Sequence, residues 1–400
     1  MSEFKIALIR EGKTPPDNRV AFSPVQCQWL MNKYPGLEIM VQPSSYRCFK
    51  DEEYEQEGIR ITEDISDAGL LMGIKEVPAE FLIPNKKYCF FSHTIKKQPH
   101  NRELLKEVIR KKIQLIDYEC LTWENNERIL GFGHFAGVVG THNAFLTYGK
   151  RYNRFNLKPA HLCESYNELL EQYKNVMLPS MKIAVAGTGR VAKGVYELLE
   201  KLNLRMTSVQ NYLTQEFNEP VYVVLNSSQL YESKNGKPFN KNEFHHQPEN
   251  YVSAFFPFSK VTNLFINAIY WNPNAPVFFS KAEMRHPDFR VKIIADITCD
   301  INGSVPATIR DCTIENPVFG YNPYSEREDV PHQPQVIDIM AVSNLPNELP
   351  RESSVEFGDK LIEYLFDDLL LKESEIIDRA TIARNGALAD KFSYLSDYIS

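Results

Sequence analysis

The chain has 400 residues, 43% of them hydrophobic, which is enough for two domains with a core each. A net charge of −7 excludes an extended nucleic-acid footprint, which needs a basic excess on one face, and favours a small-molecule partner. The seven cysteines (27, 48, 89, 120, 163, 299, 312) are scattered and form no C-x-x-C pair, so neither a disulfide framework nor a zinc site is expected, and a reducing compartment is.

The N-terminus runs straight into an apolar strand at 4–9, with no leader pattern and no bilayer-length apolar stretch, so a cytoplasmic protein with no membrane partner is expected. Over the first 135 residues, short apolar strands at 6–9, 38–41, 70–74, 88–91 and 114–118 alternate with helical patterns, one of them at 101–112. Such alternation predicts a parallel sheet covered by helices. Lys75, His93 and Glu119 each follow one of these strands and so fall on one carboxyl edge, where open α/β sheets bind ligands. A small-residue stretch from Gly131 opens a long helix through Tyr152, read as a domain connector. Strands then restart at 183–186, 206–209, 221–225, 264–268 and 293–297, which predicts a second α/β domain. Segment 226–250 reads as an exposed polar excursion, 321–336 as loop, and 354–371 as an amphipathic helix returning to the first domain.

The most diagnostic motif is Gly187-Thr188-Gly189-Arg190-Val191-Ala192, set between an apolar strand and a helix. Gly187 supplies a tight turn, Gly189 lets backbone approach a pyrophosphate, and Ala192 allows close helix packing, while the helix start favours the anion. The usual acidic partner for the ribose of NAD is missing: residues 206–214 carry no carboxylate, and the first is Glu216. That tilts the reading from NAD(H) toward NADP(H), with Arg190 as a counter-charge, and leaves both cofactors open.

Lys75 and His93, beside Glu76 and Glu119, form a candidate acid–base pair, because a lysine and an imidazole held together lower each other's proton affinity. Arg19 and Arg128 are candidate bidentate clamps for substrate carboxylates. Asp296 and Asp300 follow a late strand without the spacing of a metal site, so no metal is expected and a contact to the nicotinamide ribose or substrate is. The remaining histidines show no ligand spacing.

The runs Arg19-Val-Ala-Phe-Ser-Pro24, Gly73-Ile-Lys75-Glu-Val-Pro78, Phe90-Phe-Ser-His93-Thr-Ile-Lys96, Leu115-Ile-Asp-Tyr-Glu119, Gly131-Phe-Gly-His-Phe-Ala-Gly137, Ala295-Asp-Ile-Thr-Cys-Asp300 and Ser343-Asn-Leu-Pro346 resemble the lysine-forming saccharopine dehydrogenases. They are most similar to the lysine–2-oxoglutarate reductase domain of the aminoadipic semialdehyde synthases, and more distantly resemble alanine dehydrogenase and transhydrogenase. The resemblance implies an α/β chain of two Rossmann-like, doubly wound domains around a cleft: a substrate domain from 1–135 plus 321–400, and a dinucleotide domain at 136–320. It implies a monomer or homodimer that joins L-lysine and 2-oxoglutarate into saccharopine with NADP(H) or NAD(H). By motif position it implies Lys75 and His93 as the acid–base pair and Arg19, Lys96, Glu119 and Arg128 as substrate-binding residues. It also puts Asp300 near the nicotinamide, with Gly187, Thr188, Gly189, Arg190 and Val191 around the phosphates. The alternatives are reductive amination of a small 2-oxo acid, as in alanine dehydrogenase, and a non-catalytic dinucleotide-binding regulator.

Overall fold

A strand buried on both faces reads as an unbroken apolar run, and Ile6-Ala7-Leu8 and Leu70-Leu71-Met72 are such runs. They sit at the centre of the first of two sheets in the computed structural model, which describes residues 4–400. The chain divides into one unit made of the residues up to Phe132 plus Pro350–Ser400, and a second unit, Gly133–Leu349.

In the first unit, β1 (Phe4–Leu8), β2 (Leu37–Val41), β3 (Arg60–Ile61), β4 (Leu70–Met72), β5 (Lys87–Phe90) and β6 (Gln114–Asp117) are parallel and lie in the order β3-β2-β1-β4-β5-β6. The chain moves outward from β1 in one direction and restarts on its other side at β4. That reversal opens a crevice beyond the carboxyl ends of β1 and β4. Two late strands, β17 (Thr381–Arg384) and β18 (Ala387–Leu388), extend the sheet antiparallel beyond β6. The Pro350–Tyr364 helix belongs to this unit and buries Phe357 and Leu361 in its core.

In the second unit, β7 (Lys182–Ala186) has β9 (Val221–Leu225) on one side and β12 (Leu264–Asn267) on the other, followed outward by β13 (Ile293–Asp296) and β16 (Ile337–Met340), all parallel. The short β8 (Arg205–Met206) lies outside β9, and β10 (Tyr231–Ser233) pairs with β11 (Tyr251–Ser253) in a separate ribbon. At the far edge, β14 (Val318–Asn322) and β15 (Arg327–Asp329) form an antiparallel hairpin.

Three expectations change. Segment 321–336 is not a plain loop, because the alternating Phe319 and Tyr321 are buried and draw the hairpin onto the sheet. The second unit consequently runs to Leu349, and residues 321–349 do not join the first. Segment 226–250 is anchored, with the Tyr231 and Phe244 rings tilted against each other at 4.6 Å and Phe244 edge-on to Tyr251 at 5.2 Å. The Gly133–Tyr152 helix, read as a connector, is a core helix of the second unit with fourteen buried positions. A Cβ on Gly137 would stand 2.0 Å from the Val191 carbonyl, and one on Gly194 1.9 Å from the His134 carbonyl. These two glycines set its closest approach to the Arg190–Lys201 helix.

Candidate active site

In the first unit, Lys75 follows the carboxyl end of β4, beside the reversal at β1. Glu11, just past β1, fixes it: Oε1 accepts the Ile74 N–H at 2.6 Å and Oε2 the Lys75 N–H at 2.9 Å. Burial raises the Glu11 carboxyl to about 8, with the negative charge of Asp17 adding to the effect. Burial also takes the Lys75 ammonium down to about 8, with the positive charge of Arg19 as the next cause. The lysine is therefore lowered by desolvation and by the positive charges of Arg19 and Lys13, and not by an imidazole as the sequence reading expected.

His93 follows β5 with its backbone in the left-handed region (φ 52°), a conformation that costs energy for a side chain of this kind. Its Nδ1 lies 2.6 Å from Glu76 Oε1, while the other oxygen of Glu76 accepts from Lys13 Nζ at 3.1 Å. Burial alone would raise Glu76; the His93 hydrogen bond and charge overcome it and hold the carboxylate well below its usual range. Asp117, at the end of β6, accepts from the Ser92 backbone at 3.0 Å and from the Ser92 hydroxyl, and so braces the turn before His93.

Arg19 is buried and doubly bonded to Asp17, Nε to Oδ1 at 2.9 Å and Nη2 to Oδ2 at 2.6 Å, with its guanidinium 4.1 Å from the Phe132 ring centre. Burial would raise Asp17, yet the Arg19 charge brings it down to about 2. This geometry makes Arg19 a fixed charge beside Lys75 more than an open clamp. Glu119 gathers Arg128 Nη2 at 2.6 Å and Lys96 Nζ at 3.4 Å, and both cations keep close to half of their side-chain surface exposed. Opposing its burial, those two charges hold the Glu119 carboxyl low. Its Oε2 is buried with no hydrogen-bond partner among the described residues, an acceptor in want of a donor. A cavity of about 570 Å³, lined by Glu11, Lys13, Ser44, Tyr46, Val77 and Phe81 among others, opens at the β1 end of this edge.

In the second unit, the candidate pyrophosphate cradle is the Gly187 turn between β7 and the Arg190–Lys201 helix. Gly187 has φ +114°, and a Cβ there would stand 2.6 Å from the Ala268 carbonyl, so the turn requires glycine. Nothing lies within 4 Å of a Cβ on Gly189, which leaves its face open. The Arg190–Lys201 helix starts at Gly189, which has no side chain to cap it, and a helix start of this kind suits an anion in front of Thr188, Gly189 and Val191. The stem of Arg190 runs beside Gly133.

Asp300 is exposed in the loop after β13, which the buried Asp296 anchors by accepting from Asn267 at 2.7 Å and Thr308 at 2.5 Å. Burial raises Asp296 to about 6. Asp296 is thus a loop anchor. The described residues include no cluster of metal-ligating side chains and no helix long and apolar enough to cross a membrane. Sequence reasoning missed Glu11, Asp17 and Asn267. Glu11 alone carried a local signal, a carboxylate directly after a strand, as with Lys75.

Residues 7–139 match the family described as alanine dehydrogenase/PNT, N-terminal domain. The chain is 28% identical over 439 residues to the mitochondrial alpha-aminoadipic semialdehyde synthase of Rattus norvegicus, covering 98% of this chain and 47% of that one. It is 25% identical over 395 residues to the saccharopine dehydrogenase [NAD(+), L-lysine-forming] of Emericella nidulans, covering 94% of each. The chain spans about half the length of the synthases it matches. A solved L-alanine dehydrogenase superposes over 99% of this chain and 100% of its own with a TM-score of 0.68 at 15% identity, which shows the shared two-domain Rossmann-like fold. The chain is thus similar along nearly its whole length to the alpha-aminoadipic semialdehyde synthases and the L-lysine-forming saccharopine dehydrogenases, and residues 7–139 match the alanine dehydrogenase/PNT N-terminal domain.

Proposed function

We propose that the chain is a nicotinamide-dependent oxidoreductase of the saccharopine carbon–nitrogen bond, interconverting L-lysine plus 2-oxoglutarate with saccharopine. The observation that carries this reading is Lys75, tuned to about 8 and clamped by Glu11 on the same strand edge as the Glu76–His93 pair. Such a site can both take and give protons near neutral pH.

In the direction of saccharopine formation, neutral Lys75 takes a proton from the ε-ammonium of lysine. The freed amine adds to the ketone carbon, and as that bond forms the nitrogen loses a proton while the oxygen gains one. His93, oriented through Nδ1 by Glu76, delivers a further proton to the hydroxyl, which leaves as water and gives an iminium carbon. A bound nicotinamide nucleotide supplies the hydride that reduces this carbon, and in reverse accepts it. Gly187, Thr188, Gly189, Arg190 and Val191 would hold its pyrophosphate and Asp300 its nicotinamide end. Lys96 and Arg128 meet the substrate carboxylates, Glu119 holds both cations in place, and Arg19 acts chiefly through its charge on Lys75.

The test is an absorbance assay with NADPH and with NADH, offering lysine plus 2-oxoglutarate or pyruvate plus ammonia. Reduced nucleotide is expected to be consumed with the first pair; consumption with only the second would overturn the reading.

A further inference from the structure

We propose that the adenosine ribose is read at the end of β9, by Asn226, and that this side chain selects a 2′-phosphorylated dinucleotide; the inference rests on the dinucleotide reading of the Gly187 turn. In a dinucleotide-binding sheet, the ribose-reading residue ends the strand hydrogen-bonded beside the one that carries the glycine turn. Sequence order makes β8 that strand, but the structure does not. β9 is the neighbour of β7, in register from Lys182 against Val221 to Ala186 against Leu225, and the Gly187 N–H donates to the Leu225 carbonyl at 2.9 Å. Asn226 is therefore the residue level with the turn.

β8 fails on geometry as well as order. It pairs only with the amino end of β9, Met206 against Tyr222, and the next residue donates to the Tyr222 carbonyl at 2.9 Å. Four residue steps along the strand separate Tyr222 from Asn226, on the order of 13 Å. The segment after β8 then folds under the sheet: Lys182, the first residue of β7, donates through Nζ to the carbonyls of Tyr212 at 2.9 Å and Gln215 at 2.6 Å. Residues 207–216, where the missing carboxylate was sought, thus lie at the amino edge, away from the turn. Their composition says nothing about the ribose.

Asn226 is exposed, and its amide has a fixed polarity. Oδ1 accepts from the Ser228 backbone N–H at 2.9 Å and from the Ser228 hydroxyl at 2.7 Å. That leaves Nδ2 without a partner among the described residues. A carboxylate at this position accepts from the ribose hydroxyls and repels a phosphate. An amide whose oxygen is occupied offers only donors, which suit a phosphate, an acceptor on every side.

The experiment is calorimetric titration of the whole chain with NADP+ alone and NAD+ alone, for wild type, Asn226→Asp and Thr207→Asp. Aspartate still accepts from the Ser228 N–H, so the fold is kept at position 226, which a thermal melt checks. Wild type is expected to bind NADP+ more tightly than NAD+ by about tenfold or more, Asn226→Asp to erase or invert that ratio, and Thr207→Asp to leave it unchanged. A wild-type preference for NAD+, an unmoved ratio in Asn226→Asp, or a shifted one in Thr207→Asp overturns the proposal. Failure of wild type to bind either nucleotide overturns instead the dinucleotide reading on which it rests.

Discussion

At the scale of single residues, the account turns on proton affinities set by burial. Lys75 is held near 8 in the folded chain against a usual value near 10.5. Between those values the unfolded chain keeps a proton that the folded one has released, so folding stability rises with pH across that window; below about 8 both forms are protonated and the burial penalty is fully present. The difference amounts to on the order of 3 kcal/mol. Denaturant unfolding at pH 8 and pH 10 should therefore show this gain in wild type and its absence in Lys75→Met, and an equal gain in both would contradict the buried-lysine assignment. The same lysine predicts that kcat/KM for saccharopine formation climbs with pH toward about 8, and that Lys75→Met lowers it by roughly 10² to 10⁴. Arg128→Leu should instead raise KM for the oxo acid about tenfold or more while largely sparing kcat. Lys75, His93 and Glu119 were legible in the sequence because each directly follows an apolar strand. Glu11 carried the same signal after β1 and went unread, and Asp17 is marked only by its bond to a guanidinium that folding buries.

At the scale of elements, glycines separate two demands. Gly137 and Gly194 let two helices touch backbone to backbone, so Gly194→Ala forces a methyl into a carbonyl and should cost at least about 1–3 kcal/mol in unfolding free energy. Gly189→Ala meets no atom within 4 Å and has an ordinary negative φ, so it should leave the melting temperature nearly unchanged while weakening nucleotide binding. Equal destabilisation by the two changes would contradict this division. The glycine turn was readable because its signature is local: strand, turn, helix. The β14–β15 hairpin was not, because its polar turn, Asn322 to Glu326, masks the inward alternation of Phe319 and Tyr321, which signals a strand only when a sheet edge waits to receive it.

At the scale of the whole molecule, both units repeat one plan, a parallel sheet whose order reverses beside its first strand. The repeat of apolar runs made the class of fold readable from the chain alone. Strand order was another matter: runs of residues predict strands but not neighbours, and the exchange of β8 and β9 moved the expected ribose position from one edge of the sheet to the other. We propose that the Lys75 edge catalyses condensation of an amine with a multiply carboxylated oxo acid. The most direct measurement is consumption of reduced nicotinamide nucleotide by the purified chain given lysine plus 2-oxoglutarate, with saccharopine identified as product by mass spectrometry. The account predicts product formation that needs both substrates and is lost in Lys75→Met; nucleotide consumption with pyruvate and ammonia alone, or saccharopine formation undiminished in that variant, would contradict it.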